Sequence, residues 1–372
     1  MRVALVHDWL VAHRGGEAVL LELARLFPEA PIYTLVLDRP KIHLELQQRD
    51  IRTSYIQRLP GSPVSFRRYL PIFPHAIEQF DLTSFDLVVS TSHCVAKGII
   101  TGKAQHLSYV HTPMRYIWDQ RKQYQPKGLL GTIMRPAFEA TAAALRVWDR
   151  ASAERPDRII ANSNFVAERI RQSWGREAGT VYPPVDTKFF TPGAQARKDY
   201  LAVVGAQVGY KNTALAVELA TREGLDLKVV GTGPAVNALK KHAGPTVSFV
   251  GHVSNEDLRE VYREAKGLLF CGVEDFGIVP AEAISCGCPV VAFAAGGALE
   301  TVGGNVSQPV GVLFSEPTII SLGQAVAKLD THWSQGVFDS ALMQGYAKRF
   351  SREAFCSSIK QEIQTLLSTS VH

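Results

Sequence analysis

The 372-residue sequence has no run of the ~18 apolar residues that a membrane-crossing helix requires, which excludes a span but leaves attachment to a membrane surface open. Nor does it hold a block of about five or more like charges. With a formal net charge of only +5, it lacks the footprint of a nucleic-acid-binding protein. Cysteine is scarce. The residues at 94, 271, 286, 288 and 356 mostly sit within or beside apolar runs, as reduced core thiols of a cytoplasmic protein would. Cys286 and Cys288 have no second Cys or His pair at ligand spacing, so a structural metal site is not expected there. Repeats, low-complexity tracts and the Asp-x-Asp pair are also missing. The opening run Met1–Asp8 becomes charged too soon for a signal peptide.

Hydrophobic residues make up 46% and charged residues 20%, a composition expected of a soluble globular chain that is long enough to bury two cores. Short apolar runs alternate with helical patterns throughout: Val3–Val6, Leu87–Ser90, Leu107–Val110, Arg158–Ala161, Leu201–Val204, Leu227–Val230, Ser248–Val250, Leu268–Phe270 and Val290–Phe293. Continuous rather than alternating apolarity predicts parallel strands covered on both faces, hence a doubly wound α/β architecture. The stretch Tyr182–Gly193 holds prolines and a glycine that oppose both helix and sheet, and a fresh strand begins at Tyr200. This predicts Rossmann-like domains over residues 1–186 and 187–351.

Chemistry concentrates in Glu274–Glu282. Two carboxylates flank a Gly-Pro entry into a helix after the apolar run 267–271, and Pro280 suits the first helical position. The free amides of such a helix start attract phosphate. Carboxylates repel phosphate, so Glu274 and Glu282 fit sugar hydroxyls. For Glu282, a favourable place against the helix dipole serves equally well. Lys211 follows the strand 201–205 and a turn at Gly209, from which an ammonium reaches phosphates, although a solvated loop lysine is the plainer alternative. Gly296 and Gly297 begin another strand-to-helix loop, where backbone can approach a ligand closely. Val229–Pro234 also ends a strand with glycines, but Val236 stands where a dinucleotide fingerprint needs glycine, so NAD is rejected. His111 ends a strand just before Pro113, within reach of a ligand or as a structural histidine.

Several segments, Glu274–Glu282 among them, together resemble the retaining GT-B glycosyltransferases of family 4. The others are Val6–Leu10, Arg14–Glu17, Tyr109–Asp119, Ala161–Ser163 and Val181–Asp186. Several look most like the subgroup that assembles bacterial polysaccharide and O-antigen, often as mannosyltransferases. The resemblance implies two Rossmann-like domains facing each other across a cleft, with a C-terminal helix at about 352–372 packing back on the first domain. It implies a metal-independent transfer of a hexose, mannose from GDP-mannose above all, onto a lipid-linked or oligosaccharide acceptor. A UDP-sugar donor and a non-catalytic sugar-nucleotide-binding subunit are the alternatives.

By the same resemblance His111 and Glu274 are the catalytic residues. Gly15, Gly16, Lys211, Phe276, Gly277, Ile278, Val279 and Glu282 bind the donor, while Arg115, Tyr116 and Trp118 bind the acceptor. The nucleotide sugar is a co-substrate, and no cofactor or metal is implied. One departure stands out: the family carries an arginine directly after the strand glycine, and this chain has Ala206. Two clusters mix basic with aromatic and aliphatic residues, as a membrane-surface contact on the inner face of the cell membrane would, or as ordinary snorkelling cations do. The first holds Arg58, Arg67, Arg68, Tyr69, Leu70, Ile72 and Phe73, the second Arg115, Tyr116, Trp118, Arg121, Lys122 and Lys127.

Overall fold

The computed structural model describes residues 1–12, 15–118, 125, 128–304 and 309–369, without the side chains at 129, 130, 132–134 and 369. Two compact units appear: Met1–Pro183 with the chain from Phe355 onward, and Pro184–Ala354.

The first unit holds β1 (Val3–His7), β2 (Ile32–Thr34), β3 (Ile51–Thr53), β4 (Leu87–Ser92), β5 (Gln105–Val110), β6 (Arg158–Ala161) and β7 (Gly179–Thr180). They form one sheet in the order β3-β2-β1-β4-β5-β6-β7, parallel throughout. The second unit holds β8 (Leu201–Val204), β9 (Leu227–Val230), β10 (Val247–Gly251), β11 (Gly267–Phe270), β12 (Val290–Phe293) and β13 (Gly311–Phe314). Its order is β10-β9-β8-β11-β12-β13, again all parallel. Every residue of β1, β4 and β11 is buried, which is why these strands are continuous apolar runs or small residues. The apolar runs of the sequence correspond to nine strands. The other four, β2, β3, β7 and β13, are two to four residues long and lie towards the sheet margins.

Both sheets reverse their winding direction once. In the first, β1 lies between β2 and β4; in the second, β8 lies between β9 and β11. Ligands of open α/β sheets bind beyond the carboxyl ends of the strands at such a switch point. One helix behind the first sheet has both of its ends capped. Ser163 caps Asn164–Trp174 by accepting from the Val166 amide at 3.1 Å, and Gly175, at φ 72°, closes it. The terminal helix Arg352–Thr369 sends Phe355, Ile359, Ile363 and Leu366 into the first unit's core with Leu5, Val89 and Tyr109.

Behind that sheet is a buried charge network. Lys97 and Asp149 have no exposed surface and pair at 2.8 Å. The second Asp149 oxygen accepts from the indoles of Trp118 and Trp174 at 2.8 and 2.7 Å. The Lys97 ammonium also donates to Ser152 and lies 5.0 and 4.7 Å from the ring centroids of Trp148 and Trp174.

Candidate functional site

The switch point of the second sheet brings Lys211 and Glu274 together. Lys211 ends a short turn after β8, Glu274 follows β11, and their side chains form an ion pair at 2.9 Å. The contact is one of charge rather than an aligned hydrogen bond, because Glu274 Oε1 has no bonded partner. Glycines allow the loops to close on one another. A Cβ on Gly205, which sits at φ 132°, would fall 2.7 Å from the Lys211 ammonium, and one on Gly272 would fall 2.7 Å from the Lys211 Cα. Gly297 donates its amide to the Glu274 carbonyl at 2.9 Å, and a Cβ there would lie 2.2 Å from the Phe276 carbonyl oxygen. The close approach expected of Gly296 and Gly297 is therefore to the Glu274–Phe276 backbone, which they hold in place.

The helix after this loop is Ile278–Ser285, with Gly277 as its N-cap at φ 91° and no side-chain cap. Pro280 stands third in the helix, not first as the sequence suggested; the third amide also lacks an intrahelical partner, so a proline costs nothing there. The amides of Gly277, Ile278 and Val279 make no hydrogen bond to any described residue. Phe276 is buried, its ring 5.3 Å from that of Phe350. Glu282 is half-buried, and its carboxylate accepts from the fully buried Tyr262 hydroxyl at 3.0 Å. Burial, and secondarily the charge of Asp186, pushes the Glu282 carboxyl from 4.5 to about 7.

A carboxyl with a raised pKa favours the protonated folded state, so its ionisation penalty grows as pH rises from about 4.5 to about 7. Glu282→Gln keeps an oxygen for Tyr262 and removes that penalty. The variant is expected to unfold at higher denaturant than the parent near pH 8 and at the same denaturant near pH 4; identical behaviour at both would contradict the burial of this charge.

The switch point of the first sheet gathers imidazoles. His7 ends β1, while His93 and His111 follow β4 and β5 directly. His7 Nδ1 lies 2.6 Å from the Thr91 hydroxyl, and His93 Nδ1 lies 3.2 Å from Asp8. Asp8 also accepts four backbone amides, from residues 93 to 96, at 2.6–2.9 Å. Enclosure first, and then neighbouring cationic or imidazole groups, lowers the pKa of His7 to about 3, of His93 to about 4 and of His111 to about 3. All three rings are neutral at physiological pH. Gly15 and Gly16 open the helix Gly15–Leu26, and Gly16 abuts His7 and His111. Sequence reasoning singled out His111 but not His7 or His93, although both carry the same signal of a histidine at a strand's carboxyl end.

The acceptor residues are less available than the sequence suggested. Tyr116 points its hydroxyl at Cys94 Sγ, 2.6 Å away, and Trp118 donates to the buried Asp149. Their polar atoms serve the interior because each needs a partner once its ring is packed there. Arg115 stays near His93, whose pKa it helps to lower. Arg14, Asp119, Arg121, Lys122 and Lys127 lie outside the described residues. Ala206 is exposed, and the cysteines are all free. Among the described residues no group of three or more His, Cys, Asp or Glu side chains is arranged to hold a metal ion.

A cavity of about 460 Å³ in the second unit is lined by none of these site residues. Its cations are already matched: Lys198 by Glu264, Lys266 by Asp199 and Asp330, Arg263 by Glu260, and Arg197 by four backbone carbonyls.

Two family descriptions match the chain in tandem, Glycosyltransferase Family 4 over residues 13–189 and Glycosyl transferases group 1 over residues 185–334. D-inositol 3-phosphate glycosyltransferase of Mycobacterium sp. (strain JLS) is 32% identical over 166 residues, 38% of each chain. A GDP-mannose-dependent α-(1-6)-phosphatidylinositol monomannoside mannosyltransferase of Mycobacterium tuberculosis is 28% identical over 204 residues, 46% of this chain and 52% of its own. The chain thus spans between 38% and 52% of the length of these relatives. Among solved structures, HepE of Anabaena in complex with UDP superposes with a TM-score of 0.72 at 16% identity, covering 98% of this chain and all of that one.

Proposed function

Because the chain belongs to the glycosyltransferases of group 1 and family 4, we propose that it moves a hexose, with retention of configuration, from a nucleoside diphosphate sugar to a hydroxyl acceptor. The observation that carries this reading is the Lys211–Glu274 pair at a switch point, beside a helix start with three unbonded amides. When the bond between the anomeric carbon and the diphosphate breaks, negative charge grows on the leaving phosphate. Lys211 and the amides of Gly277, Ile278 and Val279 supply the compensating charge. The acceptor oxygen bonds to the anomeric carbon on the face the diphosphate leaves, and its proton passes to the departing phosphate oxygen. Glu274 holds hydroxyls of the transferred sugar, Glu282 those of the ribose, and the neutral His111 hydrogen-bonds sugar without taking up its proton. No protein base and no metal is required.

GDP-mannose is the donor favoured here, since the mannosyltransferase relative carries that dependence in its name; a UDP-sugar is the alternative. The acceptor is a lipid-linked or oligosaccharide chain in cell-surface polysaccharide assembly. Peripheral binding to an anionic membrane fits the segment between Asp50 and Glu78, which has no carboxylate. It exposes Arg58, Arg67 and Arg68 together with Val64 and Ile72, 80% and 38% accessible. Phe73, assigned to that surface from the sequence, is core instead, at 1% exposure. No described helix is long and apolar enough to cross a membrane.

A thermal-shift panel of GDP, UDP, ADP and their sugar conjugates, with and without EDTA, tests the donor. A selective response to GDP and GDP-mannose that ignores EDTA is expected, and a response to UDP compounds alone would replace the sugar nucleotide. Lys211→Met should weaken nucleoside diphosphate binding about 10- to 100-fold, the worth of one charge-assisted contact. An unchanged affinity in titration calorimetry would remove Lys211 from the site. The uncharged Ala206 favours a second reading, a sugar-nucleotide-binding subunit without turnover. Slow donor hydrolysis in the absence of acceptor would rule that out.

A further inference from the structure

Two buried ring nitrogens at the first switch point have no partner among the described residues. His7 Nε2 and His111 Nε2 are shielded from water, yet neither is hydrogen-bonded to any described residue. Leaving a buried polar atom unpaired is costly, so such atoms call for an explanation. The two rings flank one point beside Gly16. An atom placed where Gly16 lacks its Cβ would lie 3.6 Å from His111 Nε2 and 3.7 Å from His7 Cε1. Those are ordinary van der Waals distances, so neither ring fills the point beside Gly16. The orientation of His7 is also fixed. Its Nδ1 is held by Thr91, whose hydroxyl has the Val6 carbonyl as another acceptor at 3.5 Å. That contact holds the ring in place, whichever of the two atoms donates, and leaves Nε2 as the nitrogen open to a ligand.

We propose that His7 is a specificity-determining residue whose Nε2 accepts a hydrogen bond from a hydroxyl of the donor sugar that His111 also contacts. The pair then reads two hydroxyls of one hexose, and Gly16 is glycine because a methyl group would occupy the place of one of them. The neutral state of both rings suits this task, since an imidazolium would donate rather than accept. The inference rests on the glycosyltransferase reading, because it needs a sugar substrate.

The test compares GDP, GDP-mannose and its four monodeoxy forms, or the UDP-glucose series should that nucleotide bind instead, on the parent, His7→Phe, His7→Gln and Gly16→Ala by calorimetry. Both His7 variants should bind the free nucleoside diphosphate like the parent, which shows that they are folded. His7→Phe should lose about 5- to 10-fold in affinity for the full sugar nucleotide, the worth of one hydrogen bond. One deoxy sugar should bind the parent and His7→Phe equally. His7→Gln, which keeps an acceptor near the Nε2 position, should recover part of the loss. Gly16→Ala, which a helix accommodates readily, should lose sugar affinity without losing stability. If His7→Phe discriminates all deoxy sugars as the parent does, His7 has no such role. If the parent binds no sugar nucleotide, the glycosyltransferase reading itself fails, and this inference with it.

Discussion

Glu274→Gln will lower transfer by about 100- to 1,000-fold, the usual consequence of removing one preorganised electrostatic contact from a transition state. The substitution preserves size and removes the charge that lies 2.9 Å from Lys211. It should leave the fold intact, since Glu274 is only half-buried and its backbone, not its side chain, carries the contact with Gly297. Binding should move the other way. On the proposed reading Glu274 competes with phosphate for the Lys211 ammonium, so the glutamine variant should bind nucleoside diphosphate as tightly as the parent or more tightly. Steady-state rates with the donor found by the thermal panel, set beside calorimetry of the free nucleotide, separate the two effects. Parent-like turnover would remove Glu274 from the chemistry. Loss of turnover together with loss of nucleotide binding would instead indicate a collapsed loop.

Asp149→Ala is expected to cost the first unit about 3–5 kcal/mol, because it strands the Lys97 ammonium in the interior. Lys97 has no exposed surface, and two indole donors would lose their shared acceptor as well. Against a total stability of about 5–15 kcal/mol this is a large fraction. The double variant Lys97→Met with Asp149→Asn should recover most of the loss, because no charge remains and the amide oxygen still accepts from Trp118 and Trp174. Urea unfolding followed by tryptophan fluorescence reads both, and the chain's two units call for a fit that allows two transitions. A mild effect of Asp149→Ala, or a double variant no better than the single, would mean that the pair is not the buried network described above.

The parts of the fold legible in the sequence were those whose physics is local. Strands buried on both faces must be apolar along their length, so the central strands such as β1, β4, β8 and β11 announced themselves. The margin strands β2, β3, β7 and β13 are too short to make a run and owe their state to a neighbour's hydrogen bonds, which no residue pattern encodes. Glu274, Lys211 and His111 could be singled out because each follows an apolar strand. His7 and His93 stand at strand ends in the same way.

Periodicity and turn chemistry specify the class of fold, the succession of strand and helix, and the strand-end positions of the polar residues, because all three are local properties of the chain. Which of those strand ends become neighbours follows from the order of strands in the folded sheets. Sheet order put β8 beside β11, and so Lys211 against Glu274; it put β1, β4 and β5 side by side, and so brought three histidines together. It also turned Trp118 and Tyr116 inward and made the paired glycines a support for the Glu274 loop. Those outcomes depend on contacts between residues distant in the chain, whose free energies come from packing and burial and leave no local mark in the sequence.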